Sequence, residues 1–229
     1  MNSVRQDLWI FAYGSLMWRP DFPFVERVRA RLTGYSRRFC VTSVHHRGSP
    51  ARPGLVLGLD RGGVCDGVAY RVSSADRAGV LGYLRAREQV NGVYREAHVA
   101  IEVLDPEPRH ETAVAYLVER AHPSYAGRLS LLHQARLISG ARGLSGVNLD
   151  YVVNTLRHMA ELGIREPELE RLMIVIGAYF ANDGASGLVS RRAEALRRTA
   201  SRTFPAGTGI KRMRPCDRRR FVYRQKLAD

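Results

Sequence analysis

Apolar and polar residues alternate through most of the first half of the chain, and this period of two predicts β-strands. The predicted strands are rich in Val, Tyr and Phe and are bounded by Gly, Pro or Asp. They comprise residues 8–13, 30–44, 54–59, 64–72, 94–103 and 112–118. One helix, predicted over residues 74–88, interrupts the series.

The pattern changes after His122, where apolar residues recur at three- and four-residue steps. This spacing predicts helices over residues 129–138, 149–162 and 166–179, separated by glycine-rich or proline-containing joints. Strands followed by helices gathered at one end indicate an α+β fold. We expect a small mixed or antiparallel β-barrel, closed or partly closed, with flanking helices.

Glu88 stands where the pattern of the first helix calls for an apolar residue. It follows Leu84 by four residues and Leu81 by seven, so its carboxylate should point toward the packed side. It also lies in the last turn, where the helix dipole disfavours a negative charge by a few tenths to about 1 kcal/mol. Either Glu88 has a chemical role, or it is a structural residue that pairs with Arg85 or Arg87 at a frayed helix end.

The charge of the chain is concentrated at its C-terminal end. The net charge is +14, and residues 190–229 contribute 13 Lys or Arg against three acids, a net charge of +10. We therefore interpret residues 186–229 as a basic tail, without an RNA-recognition or helix-turn-helix pattern. Such a tail can make weak electrostatic contact with nucleic acid or anionic membrane, or it can be a solvated appendage without a dedicated partner.

The remaining chain is typical of one globular domain, which we place at residues 1–185, since 45% of all 229 residues are apolar. No apolar run approaches the roughly 18 residues of a membrane span, and the N-terminus lacks the features of a signal peptide. We expect a cytoplasmic protein. The three cysteines are scattered and odd in number, and they indicate neither a disulfide framework nor a cysteine zinc site.

Several kinds of site can be set aside. Ser15 is not part of a G-x-S-x-G nucleophile elbow, because Tyr13 stands in the place of the first glycine. His45 and His46 are adjacent in an extended segment, so their side chains diverge. The glycines of residues 54–63 do not follow G-x-G-x-x-G and lead into a strand. We therefore expect no metal site and no cofactor.

The sequence YGSL, residues 13–16, directly follows the first predicted strand. A strand that ends in Tyr-Gly-Ser makes a tight turn, and the glycine lets a ligand approach the backbone. The N–H groups of such a turn can bind a carboxylate or an oxyanion. The turn can equally be an ordinary connection between two elements.

Seven blocks, in order, resemble the ChaC-like, glutathione-specific γ-glutamylcyclotransferases. Together they span most of residues 9–182 and leave the basic tail outside. The blocks are WIFAYGSLMWRPDFPF at 9–24, GYSRRF at 34–39, HRGSPARPG at 46–54, GVAYRV at 67–72, YLRARE at 83–88, HPSYAG at 122–127 and GLSGVNLDY at 143–151.

The resemblance implies a compact barrel with flanking helices and one essential glutamate, which matches Glu88. The substrate's own amine would attack the γ-carbonyl of glutathione, releasing 5-oxoproline and Cys-Gly, with Glu88 as general base and then acid. Tyr151 would donate a hydrogen bond to the substrate. Arg38 or Arg47 would bind the second carboxylate of glutathione, unless these arginines only cover the barrel surface. The glutamyl α-carboxylate would be held by the backbone of Tyr13, Gly14, Ser15 and Leu16.

The chain also departs from the family pattern. Cys40 replaces the usual tryptophan after R-R-F, His45 replaces the usual aspartate before H-R-G, and QVNGVY at 89–94 stands where a shorter K-G-G-Y is common. These changes leave substrate preference open. One alternative is a cyclotransferase acting on other γ-glutamyl compounds. The other is a catalytically idle fold that binds RNA or acidic membrane through its tail.

Overall fold

A closed barrel of five strands is the centre of the structure, a computed structural model that describes residues 6–182. The order around the barrel is β1-β3-β2-β4-β5, and β5 returns to β1. The β1–β5 pair is parallel and the other pairs are antiparallel. The strands are β1 Leu8–Ala12, β2 Glu26–Ser43, β3 Gly54–Val72, β4 Tyr94–Val103 and β5 Arg109–Val118.

The predicted α+β class and mixed barrel are confirmed, but the division into strands differs. Residues 54–59 and 64–72, predicted as two strands, belong to one long strand, β3. Gly62 and Gly63, which the sequence suggests as a boundary, have positive φ angles of 96° and 89° inside that strand. Only a glycine adopts this conformation readily, so the strand bends there and stays paired with β2.

Four helices flank the barrel in this part of the chain: α1 Arg77–Glu88, α2 Leu131–Gly140, α3 Asn148–Glu161 and α4 Pro167–Asn182. Between α2 and α3 lies a short hairpin of β6 Arg142–Gly143 and β7 Gly146–Val147. The first residue of α3, Asn148, is buried and fastens the helix to the barrel. Its side-chain amide accepts from Leu55 N at 2.7 Å and donates to Leu55 O at 2.8 Å.

The core fills the barrel and continues under the helices. The side chains of Ile10, Phe11, Tyr70 and Leu84 are fully buried in it. Val80 and Leu84 of α1 are buried, and Glu88, the last residue of the helix, lies four residues after Leu84 on the same face. The apolar stripe predicted from the sequence therefore faces the core.

Within residues 6–182, no helix combines the length and the apolar character needed to cross a membrane. The predicted basic tail, residues 186–229, lies outside the described residues, and the predicted domain boundary at 185 stays a prediction.

Candidate active site

The YGSL sequence forms a tight turn at the end of β1. The strand ends at Ala12, and a short 3-10 helix follows at Ser15–Met17. Gly14 has a φ of −126°, so no positive φ requires a glycine at this position. A Cβ built on Gly14 would have Tyr151 Oη as its nearest heavy atom, 3.9 Å away. The face of Gly14 thus looks toward the Tyr151 hydroxyl.

Buried donors hold the carbonyl groups of this turn. Tyr70 Oη donates to Leu16 O at 3.1 Å and to Met17 O at 2.8 Å, and Arg37 Nε donates to Tyr13 O at 2.5 Å. The first N–H groups of a helical turn have no partner within it. The carbonyls are therefore satisfied from the protein side, and the leading N–H groups are available to a ligand.

Glu88 is the last residue of α1, and its side chain is 18% exposed. Burial raises the pKa of its carboxyl group, and the nearby charge of Arg87 acts in the opposite direction. The two side chains are paired, with 3.3 Å between Arg87 Nε and Glu88 Oε1. Glu88 therefore combines an ion pair with a carboxyl group that holds its proton more tightly than an ordinary glutamate does.

Arg87 connects this helix end to the YGSL turn. Its Nη2 donates to Ser15 Oγ at 3.1 Å, and its Nη1 donates to Arg19 O at 2.9 Å and to Tyr83 Oη at 2.7 Å. Glu88 and the turn are consequently held at the same end of the barrel. The sequence indicates Arg87 only as a partner for Glu88, and its bond to the turn is seen only in the structure.

Three tyrosines lie close to Glu88. Burial raises the pKa of Tyr13, Tyr94 and Tyr151, in the last case to about 12, and the negative charge of Glu88 adds to the rise at each. Tyr94 Oη donates to Leu57 O at 2.7 Å. The three hydroxyl groups therefore stay protonated. Tyr13 and Tyr151 can act as hydrogen-bond donors to a ligand, whereas the Tyr94 proton is directed at Leu57 O. The sequence pattern does not indicate Tyr94 as a site residue, although Tyr94 ends the QVNGVY segment that departs from the family pattern.

A β-bulge at Cys40 shapes the wall beside these tyrosines. Phe39 pairs with Leu57 and Val41 pairs with Val56, so Cys40 is the extra residue of β2. Burial raises the pKa of the Cys40 thiol to about 12, so the sulfur is a packing group rather than a nucleophile.

The two candidate arginines differ in position. The Arg47 guanidinium lies 5.3 Å from the centre of the Tyr151 ring and donates to Val147 O at 3.2 Å. Burial lowers the pKa of Arg47. Arg38 instead pairs with Glu168 at 3.4 Å, near the start of α4. Arg47 therefore lies beside Tyr151, whereas Arg38 is paired with a residue of α4.

We refer to one group of residues as the turn site. It contains Tyr94 and every site residue predicted from the sequence except Arg38. The members are Tyr13, Gly14, Ser15, Leu16, Arg47, Glu88, Tyr94 and Tyr151.

Comparison with known proteins places the described region in a defined family context. The model of the family described as ChaC-like protein matches residues 8–179. Glutathione-specific γ-glutamylcyclotransferase 1 of Mus musculus is 38% identical over 176 residues, covering 75% of this chain and 79% of the mouse protein. The glutathione-specific γ-glutamylcyclotransferase of Escherichia coli K12 is 31% identical over 182 residues, covering 80% of this chain and 78% of the bacterial protein.

A similar fold is found in a solved structure. The crystal structure of a γ-glutamyl cyclotransferase specific to glutathione from yeast superimposes with a TM-score of 0.68. The match covers 76% of this chain and 99% of the yeast chain, at 22% sequence identity. At this identity the likeness concerns the fold alone, and it supports the barrel with flanking helices.

Proposed function

This chain belongs to the ChaC-like family, and from that premise we propose that it is a glutathione-specific γ-glutamylcyclotransferase. The proposed reaction releases 5-oxoproline and Cys-Gly from glutathione. The observation that carries the proposal is the Glu88 carboxyl group, whose pKa is raised by burial and whose neighbour Arg87 is bonded to Ser15 of the YGSL turn. The names of the similar mouse and bacterial enzymes support glutathione as the substrate.

Glu88 would move one proton in this reaction. The α-amino group of the glutamyl residue is an ammonium at neutral pH and must lose a proton before its nitrogen attacks the γ-carbonyl carbon. As the new ring C–N bond forms, the amide C–N bond to the cysteine breaks, and the departing nitrogen takes a proton. A single carboxyl group can accept the first proton and return it to the leaving amine. A raised pKa brings this group nearer the working pH.

The YGSL turn would bind the glutamyl α-carboxylate. Its carbonyls are held by Tyr70 and Arg37, and the leading N–H groups remain for an anion. The open face of Gly14 gives the carboxylate room to approach, and Tyr151 Oη faces this space. Holding the substrate in a folded shape brings its amine close to its γ-carbonyl, which lowers the barrier by proximity.

Arg47 is the better candidate for the glycyl carboxylate of glutathione. Its guanidinium is partly buried beside Tyr151 and has a lowered pKa, so an incoming carboxylate would stabilise its charge. Arg38, by contrast, already pairs with Glu168. We therefore assign the second carboxylate to Arg47 and leave Arg38 without an assigned role in binding.

Incubation of the purified chain with glutathione, followed by detection of 5-oxoproline and Cys-Gly, tests the proposal. Both products should form in equal amounts. Release of glutamate in place of 5-oxoproline would show hydrolysis and would contradict the cyclisation. Absence of any product would contradict the proposed function.

A second candidate is a cyclotransferase that prefers other γ-glutamyl compounds. The observation that favours it is Cys40, a small residue at the bulge beside Tyr94, where the family usually has tryptophan. Parallel assays with glutathione and with γ-glutamyl dipeptides separate the two functions. A higher kcat/KM for γ-glutamyl dipeptides than for glutathione would favour this candidate.

Two further expectations from the sequence belong to this proposal. We propose a cytoplasmic location, which fractionation of cells that express the protein would test. We also propose that the basic tail makes weak electrostatic contact with nucleic acid or anionic membrane, because residues 190–229 carry a net charge of +10. Its contact should weaken as salt concentration rises.

A further inference from the structure

Arg37 is a fully buried charged residue, and one of its hydrogen bonds reaches the YGSL turn. Its side chain has no exposed surface, and its Nε donates to Tyr13 O at 2.5 Å. Its Nη2 donates to Asp66 O at 2.6 Å, and its Nη1 is paired with Glu166. Burying a guanidinium is costly unless the charge is paired and its N–H groups are bonded, and both conditions are met here.

The neighbouring pair shows that this burial is specific. Arg38 directly follows Arg37, and Glu168 lies two residues after Glu166. Arg38 and Glu168 also form an ion pair, at 3.4 Å. Glu168 is 49% exposed in that pair, whereas Glu166 is 16% exposed. Consecutive strand residues point to opposite faces, so one pair lies on the surface and the other lies against the turn.

The bond to Tyr13 O has a geometric consequence for Gly14. The carbonyl of Tyr13 and the N–H of Gly14 belong to one peptide unit, which is planar and trans, so the two groups point in opposite directions. Arg37 holds the carbonyl on the protein side. The same bond therefore aims the Gly14 N–H away from Arg37.

We propose that Arg37 and Glu166 are positioning residues, which orient the Tyr13–Gly14 peptide so that the Gly14 N–H can bind the substrate carboxylate. The inference rests on the proposed function for the identity of that carboxylate. Glu166 supplies the counter-charge from the residue directly before α4, so the start of this helix is coupled to the turn. Neither side chain has to touch the substrate for this role.

Glu166→Gln and Glu168→Gln form a matched pair of variants for the test. Glutamine preserves the shape of each side chain and removes its charge, so only the buried pair should affect the turn. In Glu166→Gln the KM for glutathione should rise roughly ten-fold, because binding of the substrate carboxylate weakens. The kcat should fall less than the kcat/KM, because the carboxylate contact contributes to substrate binding as well as to the folded shape of the bound substrate. In Glu168→Gln both constants should stay unchanged.

A second readout does not depend on turnover. In ¹H–¹⁵N correlation spectra of the intact chain, the Gly14 amide peak should shift in Glu166→Gln and stay in place in Glu168→Gln. Arg37→Lys keeps the charge but loses the forked donor, and it should shift the same peak even if Glu166→Gln does not fold.

The outcomes separate this inference from the proposed function. A wild-type chain that does not cleave glutathione would overturn the function, while the Gly14 peak would still decide the positioning. A lower melting temperature in Glu166→Gln, with unchanged KM and an unmoved Gly14 peak, would show a merely structural pair and would overturn the inference.

Discussion

Glu88 and Glu96 have similarly little exposed side-chain surface, but Glu88 lies deeper in the protein and the two differ in their hydrogen-bond donors. Their side chains are 18% and 17% exposed. Glu96 accepts two bonds from Arg85, each at 2.8 Å, and one from Tyr116 Oη at 3.2 Å, and the bonds from Arg85 are the main reason why its pKa is lowered. Glu88 has Arg87 Nε at 3.3 Å, and burial raises its pKa. Exposure alone therefore does not decide how a carboxyl group titrates.

The difference arises from the deeper burial of Glu88 and from where the arginine donors are directed. Arg85 directs its Nε and Nη2 to Glu96, whereas the Nη groups of Arg87 bond to Ser15, Arg19 and Tyr83. Glu88 therefore lies near the positive charge of Arg87 but does not accept the hydrogen bonds of its two Nη groups. A carboxylate in that situation is available to exchange a proton, whereas a fully bonded one is not.

Other carboxylates of the barrel follow the pattern of Glu96. Hydrogen bonds from Arg71 and Arg109 lower the pKa of Glu26 despite its partial burial. Arg120 and Tyr125 do the same for the buried Asp60. The carboxyl group of Glu88 in the turn site contrasts with these paired carboxylates, and the following experiments test that contrast.

Glu88→Gln should produce the largest effect. Glutamine preserves size and shape but cannot accept and return a proton, so the rate of 5-oxoproline release should fall at least about 100-fold. Glutathione binding, measured by calorimetry, should persist. Glu96→Gln is the matched control, and it should keep most of its turnover. Equal losses in the two variants would remove the distinction between the glutamates.

Gly14→Val should reduce turnover by roughly 10²-fold, because its methyl groups would fill the space that faces Tyr151. Ser15→Ala should cost less, since it removes a single hydroxyl that accepts one bond from Arg87. Turnover of both variants and their melting temperatures should be compared. A folded valine variant with full activity would make the turn an ordinary connection.

Arg87→Gln should move the acid limb of the pH profile of kcat/KM to higher pH. The positive charge of Arg87 lowers the pKa of Glu88, so its removal should raise that pKa further. The kcat/KM profile reports the ionisation of the free enzyme. Arg85→Gln, which alters Glu96 instead, should leave the limb in place. A limb that does not move in Arg87→Gln would assign it to another group.

Stability should respond to pH in opposite ways at the two glutamates. The lowered pKa of Glu96 means that its stabilisation is present above the unfolded pKa and is lost as pH falls through the folded pKa. Because Arg85 is more than half exposed, Glu96→Gln should cost only a few tenths to about 1 kcal/mol at neutral pH, and less in acid. The pKa of Glu88 is raised, so its ionised form destabilises the fold at pH values above the unfolded pKa. Glu88→Gln should therefore stabilise the fold by a few tenths to about 1 kcal/mol at neutral pH. Urea unfolding at several pH values measures the free energy of unfolding of both variants. If both variants were destabilised, or both stabilised, at neutral pH, the contrast between the two glutamates would be contradicted.

Removal of residues 190–229 should have the smallest effect on the reaction. The family blocks end before this segment, so turnover of glutathione should stay within a few-fold of the full chain, and both glutamates should behave as before. Retention on nucleic acid or anionic vesicles at low salt should disappear. A truncated chain that folds but has lost all activity would show that the tail completes the turn site.

Much of the fold follows from local patterns in the sequence. Alternation predicts the strands and the three- and four-residue spacing predicts the helices, because side-chain direction is set by local backbone geometry. The same reasoning identifies Glu88 as an acid on an apolar stripe. It fails at residues 62 and 63, where two glycines indicate a strand end but form a bend instead. Whether a glycine pair ends or bends a strand depends on the partner strand, which the local pattern does not contain.

The sequence by itself determined the class of the fold, the family and the place of Glu88 on α1. Only the tertiary structure decided which arginine is buried against the turn, Arg37 rather than Arg38, and which one connects Glu88 to it, Arg87 rather than Arg85. The physical reason is that periodicity records which face of an element is apolar. The partners of a long charged side chain depend on which elements meet when the barrel closes, and neighbouring arginines look alike until then.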